Sequence, residues 1–244
     1  MGWGSLIQSV QSDGELSDGD SGAGREEAGM KFDDRVDAGR KLAGAVRTVL
    51  RRDEDALILG LARGGVVVAA EVARALGCPL DVVVVRKIAH PSSQELAIGA
   101  VGENETVAMA EGAAGGYHVA PRYIADQVRR AREIIAHRLR EYRREVRPDL
   151  NRKTAVLVDD GIVTGHTVEA AVRTVRQWGA ARVIIGVPVA LRATAARLRR
   201  LVDELVVLDT PEVLFALGEF YETFGQVGDD EVRAILAAAK RAAV

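Results

Sequence analysis

Apolar residues along the chain fall into two recurring rhythms. Compact runs of four to six aliphatic residues are followed by turns rich in Gly, Thr or Asp, and then by apolar positions spaced three or four apart. A strand covered on both faces has no polar side, so the compact runs predict a parallel sheet and the spaced patterns predict the helices that cover it. Residues 32–50 predict a helix, with Val36, Leu42, Val46, Val49 and Leu50 apolar and Asp33 and Asp34 at its start, where the helix dipole favours acids. Residues 56–61 predict a strand, 66–76 a helix closed by Gly77 and Pro79, and 80–85 a second strand, together a βαβ unit. Residues 96–101 and 106–110, with Gly102-Glu103-Asn104-Glu105 between them, predict a β-hairpin. Residues 121–146 predict a long helix with Ile124, Val128, Ile135, Leu139, Tyr142 and Val146 as its apolar stripe. Residues 154–158 predict a fully buried strand, followed by a turn over 161–167 and a helix that ends at Gly179. Strands over 182–187 and 205–208, a helix over 192–201 and a terminal helix over 227–243 complete the pattern. The fold class is α/β, with a doubly wound, mainly parallel central sheet.

Composition separates one segment from the rest. Residues 1–29 carry six acids against one base, Arg25, and almost no periodic apolar pattern. Such a segment buries too little to order itself, so an acidic, disordered tail is expected before a domain spanning 30–244. A translation start at Met30 is a second reading of the same segment. The whole chain has 244 residues, 48% of them hydrophobic, and a net charge of −2, which argues against a dedicated nucleic-acid or membrane-surface protein. The nine arginines from Arg122 to Arg147 form a solvated basic face rather than a nucleic-acid surface, because Glu133, Glu141 and Glu145 interrupt them and no aromatic ladder accompanies them. Cys78 is the only cysteine, no apolar run approaches the roughly 20 residues of a membrane span, and no signal peptide is visible. The expected setting is the cytoplasm. His90, His118, His137 and His166 lack metal-ligand spacing.

The chemistry concentrates after the buried strand at 154–158. Asp159 and Asp160 lead into a turn and a helix start, whose free N–H groups and dipole suit an anion. Thr164 and Thr167 add hydroxyl donors, and Gly165 allows close backbone approach. The aspartates would repel phosphate but accept hydrogen bonds from sugar hydroxyls or bind Mg2+. A phosphate and a diol a few ångströms apart describe a ribose 5-phosphate. Arg63-Gly64-Gly65, ending the strand at 56–61, offers a second anion site, and a doubly wound sheet would bring both loops to its topological switch point.

The run from Ala155 to Thr167 has four apolar residues, Asp-Asp, three variable positions and Thr-Gly-x-Thr. It closely resembles the phosphoribosyl pyrophosphate (PRPP) signature of type I phosphoribosyltransferases. The resemblance implies a PRPP site formed by Ala62, Arg63, Gly64, Gly65, Arg86, Lys87, Asp159, Asp160, Gly161, Ile162, Val163, Thr164, Gly165, His166 and Thr167. It assigns catalytic roles to Asp159, Asp160, Lys87 and Arg63, with Asp159 and Asp160 also holding Mg2+. It implies a hairpin lid near Ser92, Ser93, Gln94 and Glu95, and a C-terminal hood over about 209–230 that recognises an acceptor. Within the aromatic window Phe215, Phe220, Tyr221 and Phe224, Tyr221 is the candidate for acceptor contact. In 6-oxopurine-specific members an aspartate precedes the Thr-Gly pair; Val163 cannot accept a proton and argues against that reaction type. The implied activity is transfer of ribose 5-phosphate from PRPP to a nitrogen nucleophile with release of pyrophosphate. A PRPP-binding regulator without catalysis is the alternative. PRPP and an unassigned acceptor are the expected partners, no membrane is involved, and the resemblance extends to a homodimer.

Overall fold

The computed structural model describes residues 30–103, 106–109, 119–143 and 147–242. In chain order its first half contains α1 (Arg35–Val49), β1 (Ala56–Leu61), α2 (Gly64–Leu76), β2 (Leu80–Val83), β3 (Arg86–His90), β4 (Ser93–Val101) and β5 (Val107–Met109). Its second half contains α3 (Pro121–Arg143), β6 (Thr154–Val158), α4 (His166–Gln177), β7 (Arg182–Val189), α5 (Arg192–Leu198), β8 (Glu204–Asp209), a 3-10 turn (Leu217–Phe220) and α6 (Asp229–Ala242). The tail at 1–29, the turn residues 104–105, residue 110 of the predicted hairpin, the helix end at 144–146 and residue 243 lie outside the described residues.

Five strands pair in the order β2-β1-β6-β7-β8, all parallel, as the uninterrupted apolar runs predicted. Every residue of β1 and β6 is buried, because helices cover both faces of the sheet. One apolar layer joins Ile58, Val156 and Ile184 to Leu42 of α1 and Val66 and Val72 of α2. The opposite layer joins Leu59, Leu157 and Ile185 to Val168 and Val175 of α4 and Leu198 of α5. Leu59, Leu157 and Ile185 sit opposite one another across three strands. Each such buried aliphatic contributes roughly 1.5–3 kcal/mol, and this packed row gives the loops beyond it a rigid base.

The second strand is shorter than predicted, and Arg86 and Lys87 do not end it. β2 stops at Val83, the Val84 amide donates to Glu103 Oε1 (2.8 Å), and the chain then opens a separate sheet. Arg86 and Lys87 begin β3, which pairs antiparallel with β4 through Arg86 opposite Val101 and Lys87 opposite Ala100. The predicted two-stranded hairpin is therefore a three-stranded sheet, β3-β4-β5. α3 packs on this small sheet and on α6, burying Ile135 and Tyr142. Its last residue, Arg143, is also buried, a departure from the solvated basic face expected of it. No described helix is long and apolar enough to cross a membrane.

Candidate active site

Parallel register sets Gly60 of β1 beside Val158 of β6, so both strands end at one level. From there the chain runs outward to β2 on one side and to β7 and β8 on the other. The loops after β1 and β6 therefore meet at the switch point, where the strand order reverses. Their contact is close. A Cβ placed on Gly64 would lie 2.0 Å from Asp160 Oδ2, and one on Gly65 would lie 2.6 Å from the Val158 carbonyl and 2.8 Å from Asp159 Oδ1. No side chain fits at either position, so the glycine pair lets the first loop lie directly against the two aspartates. The Ala62–Arg63 peptide bond is cis, and the Ala62 amide donates to the Val83 carbonyl (3.1 Å).

The second loop is held from behind. Thr194 Oγ1 donates to the Val163 carbonyl (2.6 Å), and Arg197 Nη2 donates to the Thr164 carbonyl (2.7 Å). A trans peptide points its N–H opposite its C=O, so these bonds turn the Thr164 and Gly165 amides away from α5. Ile162 pairs with Ala190 beside β7, donating to Val189 and accepting from Leu191. Gly165 takes a left-handed conformation (φ 77°) and opens α4 with no side-chain cap. α2 likewise starts without a side-chain cap, whereas the α1 amides of Val36 and Asp37 both reach Asp34 Oδ1 at 2.8 Å. Uncapped first-turn amides are ready donors for an anion. His166 is half-buried beside them; burial and then the Arg197 charge depress its pKa.

The aspartates differ in their surroundings. Asp159 is half-buried and its Oδ1 accepts from the Asp160 amide (3.0 Å). Burial, then the charge of Asp160, pushes its carboxyl well above the usual carboxylate range. Asp160 is buried; its Oδ2 accepts from Arg35 Nε (2.7 Å) and its carbonyl accepts from the Tyr221 hydroxyl (2.6 Å). Arg63 Nη1 stands 4.0 Å from Asp229 Oδ2, and the Asp229 carboxylate also accepts from the Tyr142 hydroxyl and lies 3.7 Å from Arg138. Among the described residues no three His, Cys, Asp or Glu side chains gather as a metal site. Two adjacent carboxylates still fit a hard divalent cation whose remaining oxygens come from a phosphorylated ligand.

Residues 33–218 match the model of the phosphoribosyl transferase domain. The chain belongs to this family. Over 212 residues, 86% of this chain, it is 43% identical to the "Putative phosphoribosyl transferase Rv0571c" of Mycobacterium tuberculosis strain H37Rv. The same identity holds for the counterpart MT0597 of strain CDC 1551. The chain spans about half the length of these relatives, 47% of each. The crystal structure of TT1426 from Thermus thermophilus is 40% identical, with a TM-score of 0.71 over 86% of this chain and 99% of that one.

Of the residues in the phosphoribosyl transferase pattern, Asp159 and Asp160 of the signature lie against Gly64 and Gly65 of the glycine turn. Arg86 and Lys87 leave the same edge by way of β2 but are exposed at the start of β3. The side chains of Gln94 and Glu95 lie outside the described residues. From the segment 209–230, Leu217 sits so close to Gly161 that an added Cβ would come within 2.3 Å of it. Tyr221 does not line an open acceptor face. It is 4% exposed, packed between Phe32 and Phe224, with its hydroxyl committed to Asp160. Sequence reasoning missed Arg35, Thr194, Arg197 and Asp229. None stands in a motif, and each acquires its place through a partner more than 25 residues away.

Proposed function

We propose that the chain is a Mg2+-dependent phosphoribosyltransferase, moving ribose 5-phosphate from PRPP to a nitrogen nucleophile, in the class of a nucleobase or related compound, with release of pyrophosphate. The observation that carries this reading is the contact of Gly64 and Gly65 with Asp160 and Asp159, which puts the two loops read as anion sites beside the acidic pair read as a diol site. Thr164, Gly165, His166 and Thr167 would hold the 5-phosphate through hydroxyls and first-turn amides. Asp159 and Asp160 would accept hydrogen bonds from the 2- and 3-hydroxyls. Arg63, the amides at Gly64 and Gly65, and Lys87 would stabilise the negative charge that grows on the departing pyrophosphate. Mg2+ would be held at the Asp159–Asp160 pair together with the substrate's own oxygens and would supply further charge stabilisation.

The test is a screen of nitrogen acceptors with PRPP and Mg2+, read as pyrophosphate release. Release with at least one acceptor is expected. The Asp159→Asn and Asp160→Asn proteins should stay folded and lose at least about 100-fold in kcat/KM, the size seen when a preorganised charge partner is removed. Full activity in both variants would remove the acidic pair from the reaction. Saturable PRPP binding without release across the screen would favour a PRPP sensor.

A further inference from the structure

Arg35 stands outside every motif, yet it makes one of the best-built contacts in the cleft. Its Nε donates to Asp160 Oδ2 at 2.7 Å and its Nη1 donates to the Gly225 carbonyl at 2.8 Å. Its guanidinium carbon lies 3.9 Å from the centre of the Phe224 ring. The side chains of Arg35 and Asp160 are only 11% and 12% exposed, so the pair is little screened by solvent. The planar guanidinium is fixed by three groups at once, and an ammonium could not meet all three.

The support for Arg35 comes from the hood. The Phe32 amide donates to the Phe220 carbonyl (2.9 Å), the Glu222 amide to the Phe32 carbonyl (2.8 Å) and the Thr223 amide to the Asp33 carbonyl (2.9 Å). The entry to α1 and the segment 220–225 are therefore one hydrogen-bonded unit. Arg35 and Tyr221 are its two attachments to Asp160, one to the carboxylate and one to the carbonyl. Among the described residues no Lys, Arg or His forms an ion pair with Asp159.

We propose that Arg35 is a positioning residue that makes the adjacent aspartates unequal: it fixes Asp160 as one half of an ion pair and leaves Asp159 as the carboxylate open to a divalent cation. The ligand-free protein then presents a metal with one carboxyl group outside an ion pair instead of two. Metal affinity is low until a sugar pyrophosphate brings its own oxygens, and Asp160 keeps the orientation a ribose hydroxyl needs. The second half of this statement rests on the function proposed above; the first does not.

Removing the guanidinium charge should move the two affinities in opposite directions. The full chain and its Arg35→Gln and Arg35→Lys variants would be titrated with Mn2+ alone, followed by electron paramagnetic resonance, and with PRPP plus Mg2+, followed by calorimetry. Arg35→Gln should bind bare Mn2+ at least about fivefold more tightly, because a nearby positive charge is gone. It should bind PRPP about tenfold or more weakly, because Asp160 loses its anchor. Arg35→Lys should leave Mn2+ binding near the wild-type value and still weaken PRPP, since one ammonium cannot reproduce the fork. A merely structural role would lower both affinities together. Unchanged or weaker Mn2+ binding in folded Arg35→Gln overturns the proposal, as does wild-type PRPP affinity in Arg35→Lys. Wild-type protein that binds no PRPP, with Mn2+ binding tightened as expected, would overturn the PRPP reading and leave the unequal pair standing.

Discussion

Two of the places among the described residues where one arginine stands beside two carboxylates solve the problem differently. Under the small sheet, Arg143 donates to Asp81 (3.1 Å), to Glu103 (2.7 Å) and to the Val82 carbonyl, with its guanidinium 5.0 Å from the Trp178 ring centre. Glu103 in turn accepts from the Val84 amide. Each acid there has a cation, and the cluster is closed. In the cleft, Arg35 donates to Asp160 and not to Asp159, whose Oδ1 accepts from the Asp160 amide and which feels the arginine only through space. Burial pushes both Glu103 and Asp159 upward in pKa; the nearby Arg143 offsets part of this for Glu103, while for Asp159 the nearby Asp160 charge reinforces it and the Arg35 charge opposes it. The same inventory makes a structural staple in one place and, in the other, an acid outside any ion pair among the described residues. What separates them is whether the arginine donates to both acids.

The strongest way to break this comparison is to remove Arg143. Arg143→Met would leave Asp81 and Glu103 near one another without their cation, and Glu103 is only 4% exposed. Breaking a buried pair this way costs about 3–5 kcal/mol, so urea unfolding should show a loss of that size. A loss below about 1 kcal/mol would mean the cluster is not the staple described here. The next effect is at Gly64. Gly64→Ala forces a methyl group to within 2.0 Å of Asp160 Oδ2 unless the loop moves, which should cost about 1–3 kcal/mol and weaken PRPP binding. Gly44, exposed in α1 with nothing within 4 Å of an added Cβ, is the control. Gly44→Ala should stabilise by about 0.5–1 kcal/mol and leave PRPP binding alone. Equal responses at the two glycines would contradict the close contact between the loops.

The contrast also shows what could be read in advance. The parallel sheet was legible because a strand buried on both faces writes itself as an unbroken apolar run, as in β1 and β6. The candidate site loop was legible because its glycines and hydroxyls fall within one short stretch, 161–167. β3 was not legible: it opens with an exposed Arg86-Lys87 pair and its register with β4 shifts twice, so no alternation survives in the sequence. Arg35 left no signal either, since its partner lies 125 residues away and an arginine in a first helical turn is unremarkable locally. Tyr221 was placed in the right segment and given the wrong face. Its aromatic neighbours marked a packed cluster, but composition cannot say which side of that cluster the cleft is on.

A third carboxylate sharpens the comparison with the smallest expected effect. Glu54 lies at the far end of the sheet, where Arg182 Nη1 donates to both of its oxygens (3.0 and 2.9 Å), the Arg51 amide donates at 3.0 Å and the Thr154 hydroxyl also donates. Burial raises its pKa, but these donors outweigh burial and the net shift is downward from the ordinary 4.5. A depressed carboxyl stabilises the fold above its unfolded pKa and loses that contribution as pH falls through its folded value. Glu54→Gln should therefore lie below wild type in stability by up to about 1 kcal/mol at pH 7, given its partial exposure. The gap should narrow steadily below about pH 4.5 as the wild-type carboxylate takes up its proton. Urea midpoints for both proteins between pH 7 and pH 4 would measure it. A gap that keeps its full size across that range would mean the charge on Glu54 is not what the arginine stabilises, and that matching an acid to one arginine is a weaker device than the closed cluster around Arg143 implies.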